Sequence, residues 1–175
     1  MVILVNENDE QIGTMEKLEA HEKALLHRAF SVFIFNAKGE VLMQQRALTK
    51  YHSAGLWTNS CCSHPFPDET TYAAANRRLE EEMGLSTDLQ FIFKFRYIAP
   101  FENKLTEHEI DHVFVGKTDN LPTINMEEVH AFKYMHLEEI KEDITTNPEK
   151  YTAWFKIIFE KFTLELTNNR KTLLK

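Results

Sequence analysis

The sequence predicts an α/β (α+β) fold in which helices flank a mixed β-sheet as a sandwich. Apolar or alternating segments predict strands, and they fall at residues 2–5, 12–14, 29–35, 41–46, 90–98, 109–116 and 129–135. Apolar residues at spacings of three and four predict helices after Thr71 and from Pro148 onward. Strands and helices alternate without an internal repeat, so we expect a single domain over residues 1–175.

The first half of the chain supplies the centre of the sheet. Residues 29–35 are apolar throughout, which is typical of a strand buried on both faces. The turn Asn36 to Gly39 has a late glycine, where a positive φ is common, so residues 41–46 are expected to return as the hairpin partner. The polar segments at residues 47–55 and 58–65 are expected to be loops.

A capped amphipathic helix is predicted after these loops. Residues 68–71 supply capping side chains, and Ala75, Leu79 and Met83 recur every four positions as a buried stripe. Gly84 is expected to end the helix in a left-handed conformation.

The second half adds one aromatic strand and two helices. The strand at residues 90–98 alternates so that one face should carry Phe91, Phe93, Phe95 and Tyr97. Residues 137–144 predict a short helix. The helix from Pro148 should present a wholly apolar face formed by Tyr151, Trp154, Phe155, Ile158, Phe159 and Phe162.

Composition and charge restrict the class of protein. A net charge of −7 argues against a nucleic-acid binder, which needs a basic face. No apolar run approaches the length of a membrane span, and the N-terminal apolar run is too short for a signal peptide. Adjacent cysteines rarely pair with each other, so Cys61 and Cys62 are expected to be free thiols in the cytoplasm.

Three histidines and two glutamates form a candidate metal set. Its members are His21, His27, His64, Glu107 and Glu109. The two glutamates alternate at the start of a strand, so their side chains share a face. Imidazoles combined with carboxylates suit Mn²⁺ or Zn²⁺. The other histidines are assigned to surface or core positions: His52, His108, His112, His130 and His136.

The thiol of Cys62 has a structural and a chemical interpretation. A free cysteine is commonly a small core residue, but a polar loop beside His64 favours a reactive thiol. Cys61 is the better core candidate because adjacent side chains diverge. A structural zinc site at Cys61, Cys62 and His64 is a weaker alternative, since no second cysteine pair exists.

Charged residues near this segment predict a phosphate site. Carboxylates at residues 80–82, with Glu69, are the hard oxygen ligands that Mg²⁺ prefers when it binds a diphosphate. Basic residues that could contact phosphate oxygens are Lys17, Arg46, Lys50, Arg77 and Arg78. For each residue alone, a solvated surface charge is the competing interpretation. Trp154 and the aromatic strand are either core or the walls of a site that stabilises a carbocation.

Two motifs resemble known families. The predicted helix resembles a degenerate Nudix box through Glu69, Arg77, Glu81, Glu82, Gly84 and Leu85. In this chain Ser63 replaces the opening glycine of the box and Arg78 replaces a glutamate. The loop TNSCCSHP resembles the TNSxCxHP loop of the type 1 isopentenyl diphosphate isomerases, which implies a Nudix-type sandwich. That resemblance runs over nearly the whole chain, from GTMEKLEAH to Trp154.

The resemblance also implies the roles of individual residues. It implies a divalent ion, commonly Mn²⁺ or Zn²⁺, on His21, His27, His64, Glu107 and Glu109. It implies Mg²⁺ that bridges the substrate diphosphate to Glu82 and the backbone of Cys62. Phosphate contacts would come from Lys17, Arg46, Lys50 and Arg78. Cys62 and Glu109 would be catalytic, with Tyr97 assisting Glu109 and Trp154 facing the cationic centre.

The function implied is the interconversion of isopentenyl and dimethylallyl diphosphate by a 1,3-proton shift through a tertiary carbocation. We assign Glu109, with Tyr97, as proton donor and Cys62 as base, and the reverse direction stays open. The partner is a small isoprenoid diphosphate, with no nucleic acid and no membrane, and the protein is expected to be a monomer or weak homodimer. One alternative is a Nudix hydrolase of a nucleoside diphosphate derivative, which the lost box carboxylate disfavours. The other is an inactive Nudix-fold binding module, which the intact Cys/His/Glu set disfavours.

Overall fold

The computed structural model describes residues 1–101 and 103–174, in which nine strands form one mixed sheet. The strands are β1 (Val2–Val5), β2 (Gln11–Met15), β3 (His27–Phe35), β4 (Val41–Arg46), β5 (Trp57–Thr58), β6 (Cys61–Ser63), β7 (Leu89–Pro100), β8 (Thr106–Lys117) and β9 (Val129–Met135). The helices are α1 (Lys17–Glu22), α2 (Thr71–Met83), α3 (Leu137–Thr146) and α4 (Ala153–Leu173), with a 3-10 turn at Pro148–Lys150. The predicted α/β sandwich is therefore confirmed. None of the helices in these two ranges combines the length and apolarity needed to cross a membrane.

Strand β3 lies at the centre of the sheet. It pairs in parallel with β8 along its whole length, and antiparallel with β1, β6 and β4 at successive positions. Successive side chains point to opposite faces, so Val32 and Ile34 face α2 while Phe33 and Phe35 face α4. The predicted burial of this strand on both faces is confirmed.

Helix α2 has the cap and the buried stripe that the sequence predicts. The Thr70 side chain accepts a hydrogen bond from the Ala73 backbone nitrogen at 3.1 Å. Leu79 and Met83 are fully buried against the sheet. Gly84 has φ 63°, and a Cβ there would lie only 2.8 Å from the Thr123 carbonyl oxygen. Glycine ends the helix because another residue would be strained and would collide with this backbone.

Helix α4 begins later than predicted, at Ala153 rather than at Pro148. Tyr151 pairs with Trp57 as an isolated parallel bridge, and the Thr152 nitrogen donates to the Trp57 carbonyl oxygen at 3.1 Å. These backbone bonds keep Tyr151 and Thr152 extended. They also fix the first turn of α4 beside the sheet.

A β-bulge in β7 breaks the predicted aromatic alternation. Phe91 pairs with Phe114 and Phe93 pairs with Val113, so two residues of β7 oppose one residue of β8. The bulge turns Phe91 toward the α2 side, where it is 53% exposed. The prediction that all four aromatic residues share a face is therefore wrong for Phe91, while the other three keep the α4 side.

The segment predicted to be a polar loop contributes strands β5 and β6. Its polar residues are buried because they find backbone partners: Ser60 Oγ donates to the Leu42 carbonyl oxygen at 2.6 Å and accepts from the Ile34 nitrogen at 2.8 Å. Hydropathy alone therefore missed these strands. The register pairs Cys62 with Ser31, which places Cys62 beside the middle of β3.

The sheet face toward α4 changes from apolar to ionisable along its strands. On β8, Val115 and Val113 belong to the core, and the same row continues through Asp111, Glu109 and Glu107. The matching row of β3 ends at His27, which pairs with Glu109. Buried ionisable groups therefore collect at one end of the layer between the sheet and α4.

Candidate active site

An open cavity of about 350 Å³ lies at this ionisable end of the sheet. Eight of the residues predicted for the site line it: Lys17, Arg46, Cys62, His64, Tyr97, Glu107, Glu109 and Trp154. They come from α1, β4, β6, β7, β8 and α4 and from the residue after β6. The fold thus gathers residues that are up to 137 positions apart in the sequence into one cavity.

Three imidazoles converge on one carboxylate oxygen at the base of this cavity. The Nε2 atoms of His64, His27 and His21 lie 3.0, 3.3 and 3.8 Å from Glu109 Oε1. Ligand atoms of all four residues lie within 4.8 Å of one another, which suits a single metal ion. His21, His27 and Glu109 are buried, so solvent does not satisfy these atoms.

The hydrogen bonds of two of these histidines fix which nitrogen carries the proton. His21 Nδ1 donates to the Lys17 carbonyl oxygen at 2.7 Å, and His27 Nδ1 donates to the Leu25 carbonyl oxygen at 2.8 Å. In the neutral rings Nε2 therefore presents a lone pair toward Glu109 Oε1. Neither Nε2 atom has a hydrogen-bond partner. Lone pairs facing a carboxylate oxygen require positive charge between them, and a divalent cation fits this arrangement.

The charge states of the neighbouring groups agree with a cation at this position. Burial, followed by the positive charge of Lys17, lowers the pKa of His64 to about 3, so its imidazole is neutral at neutral pH. An ionised Glu109 beside neutral imidazoles is a suitable donor set for Mn²⁺ or Zn²⁺.

Tyr97 connects the two glutamates of β8. Its hydroxyl lies 2.6 Å from Glu109 Oε2 and 3.0 Å from Glu107 Oε2. Burial and the negative charge of Glu109 raise the pKa of Glu107 well above its usual value, so Glu107 holds a proton. Glu107 can then donate to the Tyr97 hydroxyl while that hydroxyl donates to Glu109, which gives a short proton-carrying chain.

Cys62 lies in the cavity wall, while its neighbour Cys61 points into the core under α2. The sequence predicted this division. Burial is the main cause that raises the pKa of the Cys62 thiol to about 12; Arg46 lowers this pKa and nearby carboxylates raise it. The thiol is therefore protonated at neutral pH in the metal-free protein.

Two cations and one indole complete the cavity. The Lys17 ammonium lies 5.7 Å from the centre of the Tyr51 ring, and the Arg46 guanidinium lies 5.4 Å from the Trp154 ring. Arg46 Nε is buried without a hydrogen-bond partner, so it is free to bind an anion. Trp154 is fixed by donating its Nε1–H to Asn59 Oδ1 at 3.1 Å.

Comparisons with known proteins agree with this architecture. Residues 25–155 match the NUDIX domain family. The isopentenyl-diphosphate Delta-isomerase of Serratia proteamaculans is 50% identical over 91% of this chain and 89% of its own length. The enzyme of the same description from Pectobacterium atrosepticum is 51% identical over 90% of this chain and 88% of its own length. This chain belongs to the isopentenyl-diphosphate Delta-isomerase family, within the Nudix domain family.

Solved structures support the fold assignment. A protein from Deinococcus radiodurans superposes with a TM-score of 0.76 at 18% identity, covering 91% of this chain and 97% of that one. A MutT protein from Methanosarcina mazei superposes with a TM-score of 0.65 at 22% identity, covering 80% and 94%. At these identities the likeness establishes the Nudix fold alone.

Five predicted residues of this family member lie outside the cavity lining: His21 and His27, whose Nε2 atoms face Glu109, and Glu82, Lys50 and Arg78. Glu82 is buried one layer away, where Arg78 donates to its Oε1 at 2.5 Å and Gln44 donates to its Oε2 at 2.8 Å. Lys50 and Arg78 both form ion pairs with Glu128. Lys50 is close enough for its charge to lower the pKa of Lys17, after burial and Arg46. Lys50 therefore lies near the mouth of the cavity.

The remaining residues of the degenerate Nudix box pair with one another. Arg77 forms two hydrogen bonds of 2.8 Å with Glu69, one to each carboxylate oxygen, and it also contacts Glu81. Arg78 donates to Glu81 at 2.7 Å. These carboxylates are therefore neutralised by arginine side chains of the same helix, which leaves them poorly suited to hold a metal ion.

The sequence analysis missed two ionisable residues of the cavity lining, Asp111 and His52. Asp111 follows Glu109 in the inward row of β8 and accepts from Ser31 Oγ at 2.8 Å, while its Oδ1 has no partner. Burial and the charge of Glu109 raise the pKa of Asp111 to about 8. The i, i+2 alternation that identified the two glutamates would also have identified Asp111. His52 was assigned to the surface or the core, yet it lines the cavity, and a single histidine in a loop gives no periodic signal.

Proposed function

We infer that this protein is an enzyme that isomerises isopentenyl diphosphate to dimethylallyl diphosphate, which moves a carbon–carbon double bond. The observation that carries this inference is about 50% identity to isopentenyl-diphosphate Delta-isomerases over nine tenths of the chain. We further propose that residues 1–175 act as a single cytoplasmic domain, as a monomer or weak homodimer. The two free cysteines support the cytoplasmic location. The net negative charge supports a function that needs neither a nucleic acid nor a membrane.

The substrate diphosphate would bind at the cationic side of the cavity. Lys17 and Arg46 face the cavity from opposite elements, and Arg46 has an unpaired Nε donor. Lys50 and Arg78 would add phosphate contacts from the mouth if they exchange Glu128 for the diphosphate. Arginine binds phosphate oxygens through two parallel hydrogen bonds, which fixes the orientation of the substrate.

Two divalent ions complete the proposal. His21, His27, His64 and Glu109, with Glu107 beside them, would hold Mn²⁺ or Zn²⁺, and the unpartnered imidazole nitrogens support this assignment. Glu82 and the Cys62 backbone would hold Mg²⁺ with the substrate diphosphate, which requires Glu82 to release Arg78. A bound cation at Glu109 supplies positive charge that lowers the proton affinity of the groups it contacts.

Two proton-transfer groups face the same cavity from different strands. Cys62 holds a proton on Sγ on the β6 side, and Glu109 accepts a hydrogen bond from Tyr97 on the β8 side. A 1,3-proton shift needs one group to protonate the alkene and a second to remove a proton from the adjacent carbon. Because the reaction is reversible, each group is the acid in one direction and the base in the other. The assignment made from sequence, with Glu109 and Tyr97 as donor and Cys62 as base, stays a prediction.

The walls of the cavity suit a short-lived tertiary carbocation. The Trp154 ring lies at one side and is held in place by Asn59, so its face can stabilise positive charge. Burial of the neighbouring residues keeps bulk water away from the cation, which would otherwise be captured as an alcohol. Hydrolysis is disfavoured because Glu69 and Glu81 are already paired with Arg77.

Proton NMR of isopentenyl diphosphate incubated with the protein and divalent metal in heavy water tests this proposal. We expect deuterium in a methyl group of dimethylallyl diphosphate and no release of orthophosphate. Cys62→Ala should lower turnover by about 10² to 10⁴-fold, the usual contribution of a general acid or base, with metal content unchanged. Cys61→Ala is the matched control, since it removes the adjacent thiol from the core and should retain turnover. Phosphate release without isomer formation would contradict the proposed reaction.

A further inference from the structure

A second group of possible metal ligands lies beside the first. His21, His52 and Glu107 offer ligand atoms that all lie within 4.8 Å of one another. His52 Nε2 lies 3.7 Å from Glu107 Oε1, and all three residues are buried, with His52 only 7% exposed. We call this group the outer triad, and the group formed by His21, His27, His64 and Glu109 the inner tetrad.

The outer triad and the inner tetrad share His21, which can serve only one of them at a time. His21 Nδ1 is committed to the Lys17 carbonyl oxygen, so Nε2 is its single free ligand atom, and this atom is buried without a partner. An ion in the inner tetrad engages His21 and therefore leaves the outer triad incomplete. The two groups describe alternative positions of one ion rather than a pair of ions bound together.

His52 also forms a boundary between two openings of the molecule. It lines the cavity described above and an outer groove whose walls include Leu56, Phe101 and Tyr151. Its ring stacks on Phe101 with the centroids 5.0 Å apart, so packing holds it at this boundary. An ion entering from the outer groove would meet His52 before it could reach the inner tetrad.

Charged residues line both routes, so the position of His52 and not the charge indicates the route of the cation. The cavity is lined by Lys17 and Arg46 together with Glu107, Glu109 and Asp111, and the outer groove by Glu149 and Lys156. His52 presents its Nε2 toward Glu107 Oε1 at 3.7 Å and so offers a nitrogen ligand. Glu107 beside it supplies a carboxyl group. A three-ligand position also binds an ion more weakly than four converging ligands, as a transit position requires.

We propose that His52, Glu107 and His21 form a loading site through which the divalent ion passes to and from the inner tetrad. This proposal rests on the proposed divalent-ion centre and deepens it. His21 contacts the ion in both positions. His52 contacts the ion only during transfer, so it is a residue for metal exchange and not a ligand of the resting ion.

The test measures rates of metal exchange. The full-length protein is stripped of metal with a chelator and mixed with Co²⁺ in a stopped-flow instrument, where visible absorption reports ligation by imidazole. Extraction by excess chelator gives the dissociation rate, and competition with a chromophoric chelator gives the equilibrium constant. The variants are His52→Phe, which keeps a ring to stack on Phe101, and His52→Gln, in case the first folds poorly. His130→Phe, at an exposed position on β9, is the matched control.

A transit site accelerates the binding and the release of the ion by the same factor. Its loss should therefore slow both rates and leave the equilibrium constant unchanged. We expect both His52 variants to slow association and extraction by about 10-fold or more, while the equilibrium constant changes by less than about 3-fold. His130→Phe should change neither rate. Unchanged association and extraction rates in the His52 variants would overturn the loading role. Faster extraction at an unchanged association rate would also overturn it, because His52 would then be a ligand of the resting ion. Failure of the unmodified protein to bind Co²⁺, Mn²⁺ or Zn²⁺ would instead overturn the metal centre itself.

Discussion

Asp9 and Glu109 are both carboxylates with largely buried side chains and histidine neighbours, yet their surroundings differ in one respect. Asp9 receives hydrogen bonds from Arg28 at 2.7 Å, from Lys94 at 2.9 Å and from His112 at 2.7 Å. Every contact to its two oxygens is a donor, and two of the donors are permanent cations. This cluster, the Asp9 cluster, ties the turn between β1 and β2 to β3, β7 and β8.

Within residues 1–101 and 103–174, no lysine or arginine side chain forms an ion pair with Glu109. Its Oε1 faces three imidazoles, and two of them turn a lone pair toward it because their other nitrogen donates to a backbone carbonyl. The comparison teaches that residue types do not distinguish a structural ion cluster from a metal site. The second hydrogen bond of each histidine distinguishes them, because it fixes whether the ring nitrogen that faces the carboxylate donates a proton or presents a lone pair.

The largest effect is expected from Glu109→Gln, which tests the Glu109 side of the comparison. An amide keeps the shape but loses the charge that holds a cation and accepts a proton. Turnover should fall by more than about 10³-fold, and bound metal should fall with it. Normal metal content together with normal turnover would contradict the proposed site.

A smaller effect is expected from Asp9→Asn, the matched substitution in the Asp9 cluster. Asparagine tolerates the positive φ of 67° at this position, so the backbone should be kept. Stability should fall by about 1 to 2 kcal/mol, less than for a fully buried ion pair because Lys94 is partly exposed. Turnover should stay near that of the unmodified protein.

The same variant has an expected dependence on pH. Burial opposes ionisation of Asp9, but Lys94 and Arg28 lower its pKa below the usual value. A lowered pKa contributes stability above the unfolded-state value of about 4, and that stability is lost as the pH falls further. The stability difference between the two proteins should therefore be constant near pH 7 and shrink below about pH 4. A difference that grows on acidification would contradict the assignment of Asp9 as the ionised centre of its cluster.

The smallest effect is expected from Glu7→Gln, near the edge of the Asp9 cluster. Glu7 pairs with Arg96 at 2.7 Å, but its side chain is 82% exposed. Exposed ion pairs contribute little because water and salt screen them. The urea midpoint should be unchanged and so should turnover. A loss comparable to that of Asp9→Asn would show that the cluster extends further than its buried members.

The secondary structure was largely predictable because local patterns decide it. Burial of β3 on both faces and the cap, stripe and terminal glycine of α2 were confirmed. The start of α4, the face of Phe91 and strands β5 and β6 were not predictable. Each depends on a partner remote in sequence: the backbone of Trp57, the register of β8 and the backbone of β3 and β4.

The sequence by itself determined the family, the sandwich and the residue types of the site, since motifs and hydrophobic periods are local properties. It also placed Glu107 and Glu109 on one face of a strand, because alternation in a strand is fixed. Only the tertiary structure decided that Lys17 and Arg46 line the cavity while Lys50, Arg78 and Glu82 are engaged elsewhere. It alone brought His52 into the site. The physical reason is that convergence of side chains depends on how β3, β6 and β8 pair, and pairing between distant strands leaves no signal in any one segment.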